Sequence, residues 1–149
     1  MNLALFQPDI PQNTGTLLRM CACLDVDADI IEPCGFVFSD KHLKRSGMDY
    51  LDMARINRHV SWSAFRQQKQ DVDGGRLVLL TTKSDLSYTD FRFQPGDTLL
   101  LGSESTGAPD EVHVAVDARV TIPMAGDARS LNIAVAAAMV LGEALRQTR

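Results

Sequence analysis

The chain has 149 residues, which is enough for one domain with a substantial hydrophobic core. Its apolar fraction of 45% and charged fraction of 23% exclude an intrinsically disordered chain, and its net charge of −4 argues against indiscriminate nucleic-acid binding. No apolar run approaches the roughly 20 residues that cross a bilayer, and no basic segment precedes the first apolar residues. We therefore expect neither a membrane span nor a signal peptide, and we expect a cytoplasmic location.

The first half of the chain alternates apolar runs that end at proline or glycine with segments of helical period. Leu17, Cys21 and Leu24 share one side of the first predicted helix, which we expect to face the core. The predicted elements are a strand over 3–7, a helix over 14–24 with Asn13 as its N-cap, a strand over 29–32, short helices near 40–45 and 50–54, and a helix over 61–69 capped by Ser61 or Ser63.

The second half contains two nearly continuous apolar runs, 76–82 and 98–101, which are typical of strands buried on both faces of a parallel sheet. A further strand is predicted over 120–122, where Pro123 ends it. Ser130 then caps a last helix that reaches about residue 146 and is apolar nearly all round, so we expect it to be buried by a second subunit as well as by the sheet. The alternation predicts one α/β domain over 1–149, with a mostly parallel sheet flanked by helices.

The three cysteines predict no metal site, because no second cluster of ligands accompanies them. Cys21 and Cys23 are two positions apart on a predicted helix, hence about 200° apart around its axis, and cannot readily hold one ion. We interpret the cysteines as reduced structural thiols.

Three glycine-punctuated segments, 13–19, 102–107 and 122–132, each lie near a predicted strand end. Strand ends are where an α/β sheet gathers its ligand crevice, so polar residues from all three segments are expected to meet in one pocket. The glycines of 102–107 allow close approach of backbone to a flat ligand, and Glu104 is the carboxylate of that turn. No Gly-x-Gly-x-x-Gly or Walker sequence is present, so a Rossmann dinucleotide site and a P-loop both lack their motif.

A serine-hydrolase interpretation is weak, although Ser103-x-Ser105-x-Gly107 resembles part of a nucleophile elbow. The first glycine of that motif is replaced by Ser103, and only His113 among the three histidines follows it. This order leaves no plausible Ser–acid–His constellation.

A basic stretch lies between residues 41 and 70, where seven lysines or arginines stand against Asp49 and Asp52 only. Such a stretch can meet a phosphate backbone even in an acidic protein. A solvated helix face is the alternative interpretation.

Several ordered motifs together point to a known family. They are Pro8-Asp9-Ile10-Pro11-Gln12-Asn13-Thr14-Gly15, Ile31-Glu32-Pro33, Gly35-Phe36, Gly47-Met48-Asp49-Tyr50, Thr81-Thr82-Lys83 and the three segments above. On these motifs, nearly the whole chain resembles the SPOUT superfamily of methyltransferases, and most closely the small bacterial enzymes that methylate the ribose 2′-hydroxyl of the tRNA wobble nucleotide, cytidine or uridine. The resemblance implies a C-terminal deep trefoil knot, which is a rare exception to unknotted chains, S-adenosylmethionine as cofactor, tRNA as partner and a homodimer.

The resemblance also implies roles for particular residues. The catalytic region would contain Asn13, Arg19, Glu104, Ser130 and Asn132, and the cofactor pocket Leu80, Gly102, Gly107, Ile122, Ser130 and Leu131. Arg19 is described in the family as a base, but an arginine pKa of about 12.5 or above leaves almost none of it neutral, so we assign it as a fixed cation beside the developing alkoxide, held by Asn13 and Glu104. For tRNA phosphates we predict contacts from Lys41, Lys44, Arg45, Arg58 and His59.

The chain departs from the usual pattern at Thr106, where an arginine is common, at Ala134 in place of serine and at Gly142 in place of tyrosine. These positions concern RNA contact and dimer packing, so the departures bear on which RNA is the substrate. Two alternatives stay open at this point: methylation of a different tRNA or rRNA ribose, and a knotted RNA-binding protein without transferase activity.

Overall fold

Six strands form a parallel sheet in the part of the chain that the computed structural model describes, which is residues 1–39, 53–72 and 75–149. The predicted α/β fold with a parallel sheet is thereby confirmed. Along the sheet the order of strands is β3-β2-β1-β5-β4-β6. The strands are β1 (Asn2–Phe6), β2 (Asp27–Ile31), β3 (Ile56–His59), β4 (Leu77–Leu80), β5 (Thr98–Leu101) and β6 (Ala118–Val120).

Helices cover both faces of the sheet. They are α1 (Pro11–Leu24), α2 (Trp62–Val72), α3 (Asp110–Ala115) and α4 (Ile133–Thr148). Alternate strand residues point to opposite faces: Leu3 and Leu5 join the core cluster with α1 and α4, whereas Ala4 and Phe6 join the cluster with α2 and α3. None of the helices in the described ranges is long and apolar enough to cross a membrane.

The direction of chain growth reverses at the middle of the sheet. From β1 the chain builds outward through β2 and β3, then returns to the other side to form β4, β5 and β6. Strand β5 fits between β1 and β4 and pairs with both in parallel. The crevice beyond the carboxyl ends of β1 and β5 is therefore the switch point at which α/β sheets place ligands.

Two helix starts differ from the prediction. Helix α1 begins at Pro11 with Ile10 as its N-cap, because proline suits the first helical position, so the prediction of Asn13 as cap is wrong. Helix α4 is capped by Asn132, whose side chain accepts hydrogen bonds from the amides of Ala134 and Val135, so the prediction of Ser130 as cap is also wrong. The Ser61 cap of α2 is confirmed, since its hydroxyl accepts from the Ala64 amide at 3.1 Å.

Strand β3 was not predicted from the sequence. Its residues Ile56–His59 include Asn57 and Arg58, which lack the apolar alternation of a half-buried strand, and it lies at the edge of the sheet beside β2. Strand β6 ends two residues earlier than predicted, and Thr121 continues only as an isolated bridge to Ser87. The helix predicted near 40–45 lies outside the described residues, as does most of the one near 50–54.

Candidate active site

A cavity of about 490 Å³ opens at the carboxyl edge of the sheet. Its wall comes from the connections that follow β4, β5 and β6 and from the first turns of α1 and α4. The residues predicted for the cofactor all lie in this wall, together with four of the five predicted catalytic residues. The former are Leu80, Gly102, Gly107, Ile122, Ser130 and Leu131, and the latter are Asn13, Glu104, Ser130 and Asn132.

The turn after β5 brings backbone to the cavity. The main chains of Ser103 and Gly107 exchange two hydrogen bonds, of 3.2 and 2.8 Å, and Gly107 has a φ of 70°, which favours glycine. At Gly102 a β-carbon would lie 2.5 Å from the Ala108 nitrogen and 2.6 Å from the Gly107 carbonyl carbon. A side chain at 102 would therefore push the turn apart, and glycine is required for it to close.

Three side chains that are far apart in sequence form a hydrogen-bonded chain beside the cavity. Asn13 donates through Nδ2 to Glu104 Oε1 at 3.3 Å, and Asn132 donates through Nδ2 to Asn13 Oδ1 at 3.0 Å. The Oδ1 atom of Asn132 accepts hydrogen bonds from the backbone amides of Ala134 and Val135, in the first turn of α4. Because α1 begins before Asn13, the Asn13 side chain does not cap the helix. It bonds instead to Glu104 and Asn132, and so connects the three segments beside the cavity.

The carboxyl group of Asp9 faces that of Glu104. The Asp9 amide donates to Glu104 Oε2 at 3.0 Å, and the Ser103 hydroxyl donates to Asp9 Oδ2 at 3.3 Å. Burial, followed by the Asp9 carboxyl, raises the pKa of Glu104, whereas the Glu104 carboxyl, followed by the hydroxyls of Ser105 and Ser103, lowers the pKa of Asp9 to about 2. Asp9 is part of the first family motif, but no role is predicted for it from the sequence.

Arg19 is placed differently from the other predicted catalytic residues. It lies on the exposed face of α1 and is not among the residues that line the cavity. The described side-chain bonds of Glu104 go to Asp9 and Asn13. That Asn13 and Glu104 hold Arg19 stays a prediction.

Two titratable residues of the cavity wall were missed by the sequence analysis as site residues. They are Lys83, which follows β4, and His113 of α3. Burial, followed by the charges of Lys83 and Arg119, lowers the pKa of His113. From the sequence, His113 is considered only as a partner in a catalytic triad. Its local sequence pattern gives no sign that α3 lies beside the ends of β4 and β5, so its place in the cavity wall could not be predicted.

The residues predicted to contact RNA differ in their exposure in the structure. His59 is only 4% exposed, and its Nε2 lies 2.8 Å from the Asp29 carboxylate, so no phosphate can reach it and its predicted RNA contact is wrong. Arg58 is half exposed, donates through Nε to Glu32 at 2.6 Å and lies over the Phe38 ring. The remaining predicted contacts, Lys41, Lys44 and Arg45, lie outside the described residues.

The cavity fits S-adenosylmethionine in size and in character. Its volume falls in the range of about 300–1,000 Å³ that small-molecule sites occupy. Leu80, Leu101 and Ile122 offer apolar surface for a nucleoside ring, and the close turn at Gly102 lines the same cavity with its backbone. Polar side chains also line the cavity, and they come from the turn after β5 and from the start of α4.

Comparisons with known proteins find relatives that match nearly the whole chain. A tRNA (cytidine(34)-2′-O)-methyltransferase from Beijerinckia indica is 63% identical over 97% of this chain and 90% of its own, and one from Escherichia coli strain K12 is 38% identical over 99% and 93%. A solved structure from a study of the 2-OH methylation of C/U34 on tRNA superposes with a TM-score of 0.90 at 40% identity, covering 98% of this chain and 94% of that one.

Cofactor-bound structures are also among the similar folds. The SpoU methyltransferase AviRb from Streptomyces viridochromogenes, in complex with AdoMet, superposes with a TM-score of 0.85 at 28% identity, covering 99% of this chain and 60% of that one. The model of the SpoU rRNA Methylase family matches residues 1–142. This chain therefore belongs to the SpoU methylase family and is an S-adenosylmethionine-dependent methyltransferase.

Proposed function

We propose that this enzyme transfers the methyl group of S-adenosylmethionine to the ribose 2′-hydroxyl of the wobble nucleotide, cytidine or uridine, in the tRNA anticodon. The observation that carries the proposal is the hydrogen-bonded chain Glu104–Asn13–Asn132, which joins three distant segments beside a cofactor-sized cavity. Relatives that match nearly the full chain carry the name tRNA (cytidine(34)-2′-O)-methyltransferase. Because the proposed substrate is tRNA, we also propose a cytoplasmic location for the enzyme.

The residues of the chain would act mainly by positioning. S-adenosylmethionine, when bound, supplies an electrophilic methyl group for in-line displacement by the ribose oxygen. Main-chain groups around Gly102 and Leu131 would fix the cofactor, and Asn13 and Asn132 would hold the carboxyl of Glu104 at the edge of the cavity. The Arg19 guanidinium would stabilise the developing alkoxide and clamp the adjacent phosphate, for which its planar fork is suited.

The proposal is tested by incubating the protein with methyl-labelled cofactor and unfractionated tRNA, followed by nucleoside analysis and mapping of the labelled position. We expect 2′-O-methylcytidine or 2′-O-methyluridine at the wobble position. Label at another ribose, in tRNA or rRNA, would replace the proposed substrate. No 2′-O-methylated product from any RNA would favour the alternative of a binding protein without transferase activity.

The C-terminal deep trefoil knot belongs to the same proposal. The connection between β4 and β5 bonds to the chain both before and after the cavity-lining segment 122–132. Its residues Leu86 and Tyr88 pair with the main chain of Thr121, and its Phe91 and Phe93 main chains bond to the side chain of Gln147 near the end of α4. These contacts are those expected of a loop through which the C-terminal segment passes.

We further propose a homodimer that packs through α4. The outward side of this helix carries apolar residues, of which Val135 is 51% exposed and Met139 is 40% exposed. Leu131, just before the helix begins, is also 40% exposed and extends this apolar stripe. A stripe of this kind beside the cavity is typical of a protein interface. The sequence of this helix, which lacks a polar face, also predicts a second subunit here.

Placing a charge in this stripe is expected to disrupt the dimer. The double variant Val135→Glu/Met139→Glu should sediment as a monomer at concentrations where the parent chain sediments as a dimer, because two carboxylates would be buried without partners. Val114→Glu is the matched control, since Val114 is 85% exposed on α3 outside the stripe. A double variant that remains dimeric, or a parent chain that is monomeric, would contradict the interface.

RNA binding through the basic stretch predicts a salt-dependent affinity. The double variant Lys44→Ala/Arg45→Ala should bind tRNA more weakly. The magnitude of the slope of log K against log salt should also fall by about 1–2, because binding with fewer phosphate contacts releases fewer counterions from the RNA. Arg92→Ala serves as control, since Arg92 is exposed in the β4–β5 connection, outside the stretch. Equal tRNA binding by the double variant and the parent would remove these residues from the RNA interface.

A further inference from the structure

Charge is distributed unevenly along the wall of the cavity. Within the described part of the chain, the charged or titratable residues that line it are Glu104, Lys83 and His113. Glu104 follows β5 and is bonded to Asn13, in the first turn of the helix that follows β1. Lys83 follows β4, which lies on the other side of β5 from β1. The acidic residue is therefore on the β1 side of the cavity, and the lysine is on the side of β4 and β6.

The main chain on either side of Lys83 is anchored to β6. The Thr81 amide donates to the Val120 carbonyl at 2.9 Å, and the Ser84 hydroxyl donates to the Arg119 carbonyl at 2.9 Å. The amide of Lys83 itself donates to the Thr81 hydroxyl at 3.1 Å. These bonds fix the backbone of Lys83 beside the cavity, although the residue is exposed.

The short helix that carries His113 is also fixed. Val112 of α3 is fully buried, and Arg66 of α2 donates to the Ala115 carbonyl at the end of α3. His113 is half-buried in the cavity wall. Burial lowers the pKa of His113, and the charge of Lys83 acts in the same direction. The imidazole is therefore mainly uncharged at neutral pH, and it offers one N–H donor without a charge.

The amino-acid portion of S-adenosylmethionine has charges of both signs. Its sulfonium and ammonium groups are positive, its carboxylate is negative, and three carbon atoms separate the sulfonium sulfur from the carboxylate carbon. Neighbouring strands of a sheet lie about 4.8 Å apart, which is comparable with the length of that carbon chain. A carboxylate beside Glu104 would face a like charge, whereas beside Lys83 it meets a cation that can donate a hydrogen bond.

From this distribution of charge we propose that Lys83 and His113 form the subsite for the carboxylate of S-adenosylmethionine. Lys83 supplies the positive charge, and His113 supplies an uncharged donor. Held in this way, the cofactor places its sulfonium group toward Glu104 and Asn13, on the side of the cavity where the resemblance to the family puts the catalytic residues. The subsite concerns the cofactor alone and does not depend on which RNA ribose is methylated.

The test compares the affinity for S-adenosylmethionine with the affinity for decarboxylated S-adenosylmethionine, which keeps both positive charges and lacks the carboxylate. Isothermal calorimetry without RNA measures both affinities. The parent protein should bind S-adenosylmethionine at least about 10-fold more tightly, the lower end of what a hydrogen bond to a charged group contributes. Equal affinities in the parent protein would overturn the subsite without any variant.

Lys83→Met removes the charge and keeps a long side chain. It should weaken binding of S-adenosylmethionine by about 10-fold and leave the decarboxylated form unchanged or more tightly bound, because Lys83 repels that form in the parent. S-adenosylhomocysteine should lose the same factor, since it keeps the carboxylate without the sulfonium charge. Lys83→Arg should restore part of the affinity. Equal losses for all three molecules in Lys83→Met would overturn the contact between Lys83 and the carboxylate.

His113→Ala removes the uncharged donor of the subsite. It should weaken only the two molecules that carry a carboxylate, by about 2- to 10-fold, which is the usual contribution of a neutral hydrogen bond. His113→Gln keeps an N–H donor and should recover part of this loss. Parental affinities in His113→Ala would exclude His113 from the subsite.

Arg119→Ala is the matched control for Lys83→Met. Arg119 is an exposed cation whose charge also acts on His113, but it is not among the residues that line the cavity. Its removal should leave the preference for the carboxylate unchanged, and a loss equal to that of Lys83→Met would mean that the general potential, without a contact, holds the carboxylate. Because every affinity is measured without RNA, failure of the subsite would leave the proposed tRNA substrate standing, and the reverse also holds.

Discussion

Arg19→Ala is expected to slow methyl transfer by about 100- to 1,000-fold at saturating tRNA, the cost measured for losing one preorganised group beside a developing negative charge. The affinity for S-adenosylmethionine should change by less than about 2-fold, because the side chain lies outside the cavity wall. A mutation that lowers the rate of the chemical step without changing cofactor binding has removed an interaction specific to the transition state.

Single-turnover rates and calorimetric cofactor affinities would measure the two effects separately. Arg19→Lys tests whether charge alone suffices, and it should recover only part of the rate, because an ammonium group cannot form the planar two-point contact with a phosphate. Arg92→Ala removes an exposed arginine elsewhere and should leave the rate unchanged. Full activity in Arg19→Ala would exclude Arg19 from the mechanism.

The centre of the fold could be predicted from the sequence because its signals are local. Strand β5 is a run of Thr98–Leu101 that is buried on both faces, and its limits matched the prediction. The convergence of three segments on one cavity could also be expected, because the carboxyl ends of parallel strands meet at one edge of the sheet. Both inferences depend on the period and order of residues, which the sequence displays directly.

Features set by long-range contacts could not be predicted in this way. Strand β3 forms because the edge of β2 is available to pair with it, although its own sequence has no strand pattern. His59 was interpreted as a surface residue in a basic stretch, yet it is buried against the carboxylate of Asp29 and the ring of Phe65, which sequence proximity does not reveal. The pairing of Asp9 with Glu104 joins residues 95 positions apart.

Asn132 was predicted as a site residue and lines the cavity, but its structural role was predicted incompletely. From the sequence the helix cap is predicted at Ser130, and the family resemblance implies a catalytic role for Asn132. In the structure the Asn132 Oδ1 atom caps α4 while its Nδ2 atom donates to Asn13. One amide side chain thus ties the start of α4 to α1, so the alignment of this helix and the position of Glu104 depend on the same residue.

Gly102→Ala is expected to weaken cofactor binding strongly. The added β-carbon would lie 2.5–3.0 Å from main-chain atoms of Gly107 and Ala108, and neither can move without opening the turn between Ser103 and Gly107. Overpacking of this kind costs about 1–3 kcal/mol. If relief of the clash displaces the cofactor-facing backbone, the same energy lowers the cofactor affinity by about 5- to 150-fold.

Isothermal calorimetry of S-adenosylmethionine binding, together with thermal unfolding, would measure both effects. Gly96→Ala is the matched control, because Gly96 precedes β5 as Gly102 follows it. Among the described residues its β-carbon would meet only the Gly75 Cα, at an ordinary 3.7 Å. The control should bind the cofactor as the parent does. A Gly102→Ala variant with parental affinity would mean that the turn accommodates a methyl group without moving, and the main-chain groups of this turn could then not be the surface that holds the cofactor.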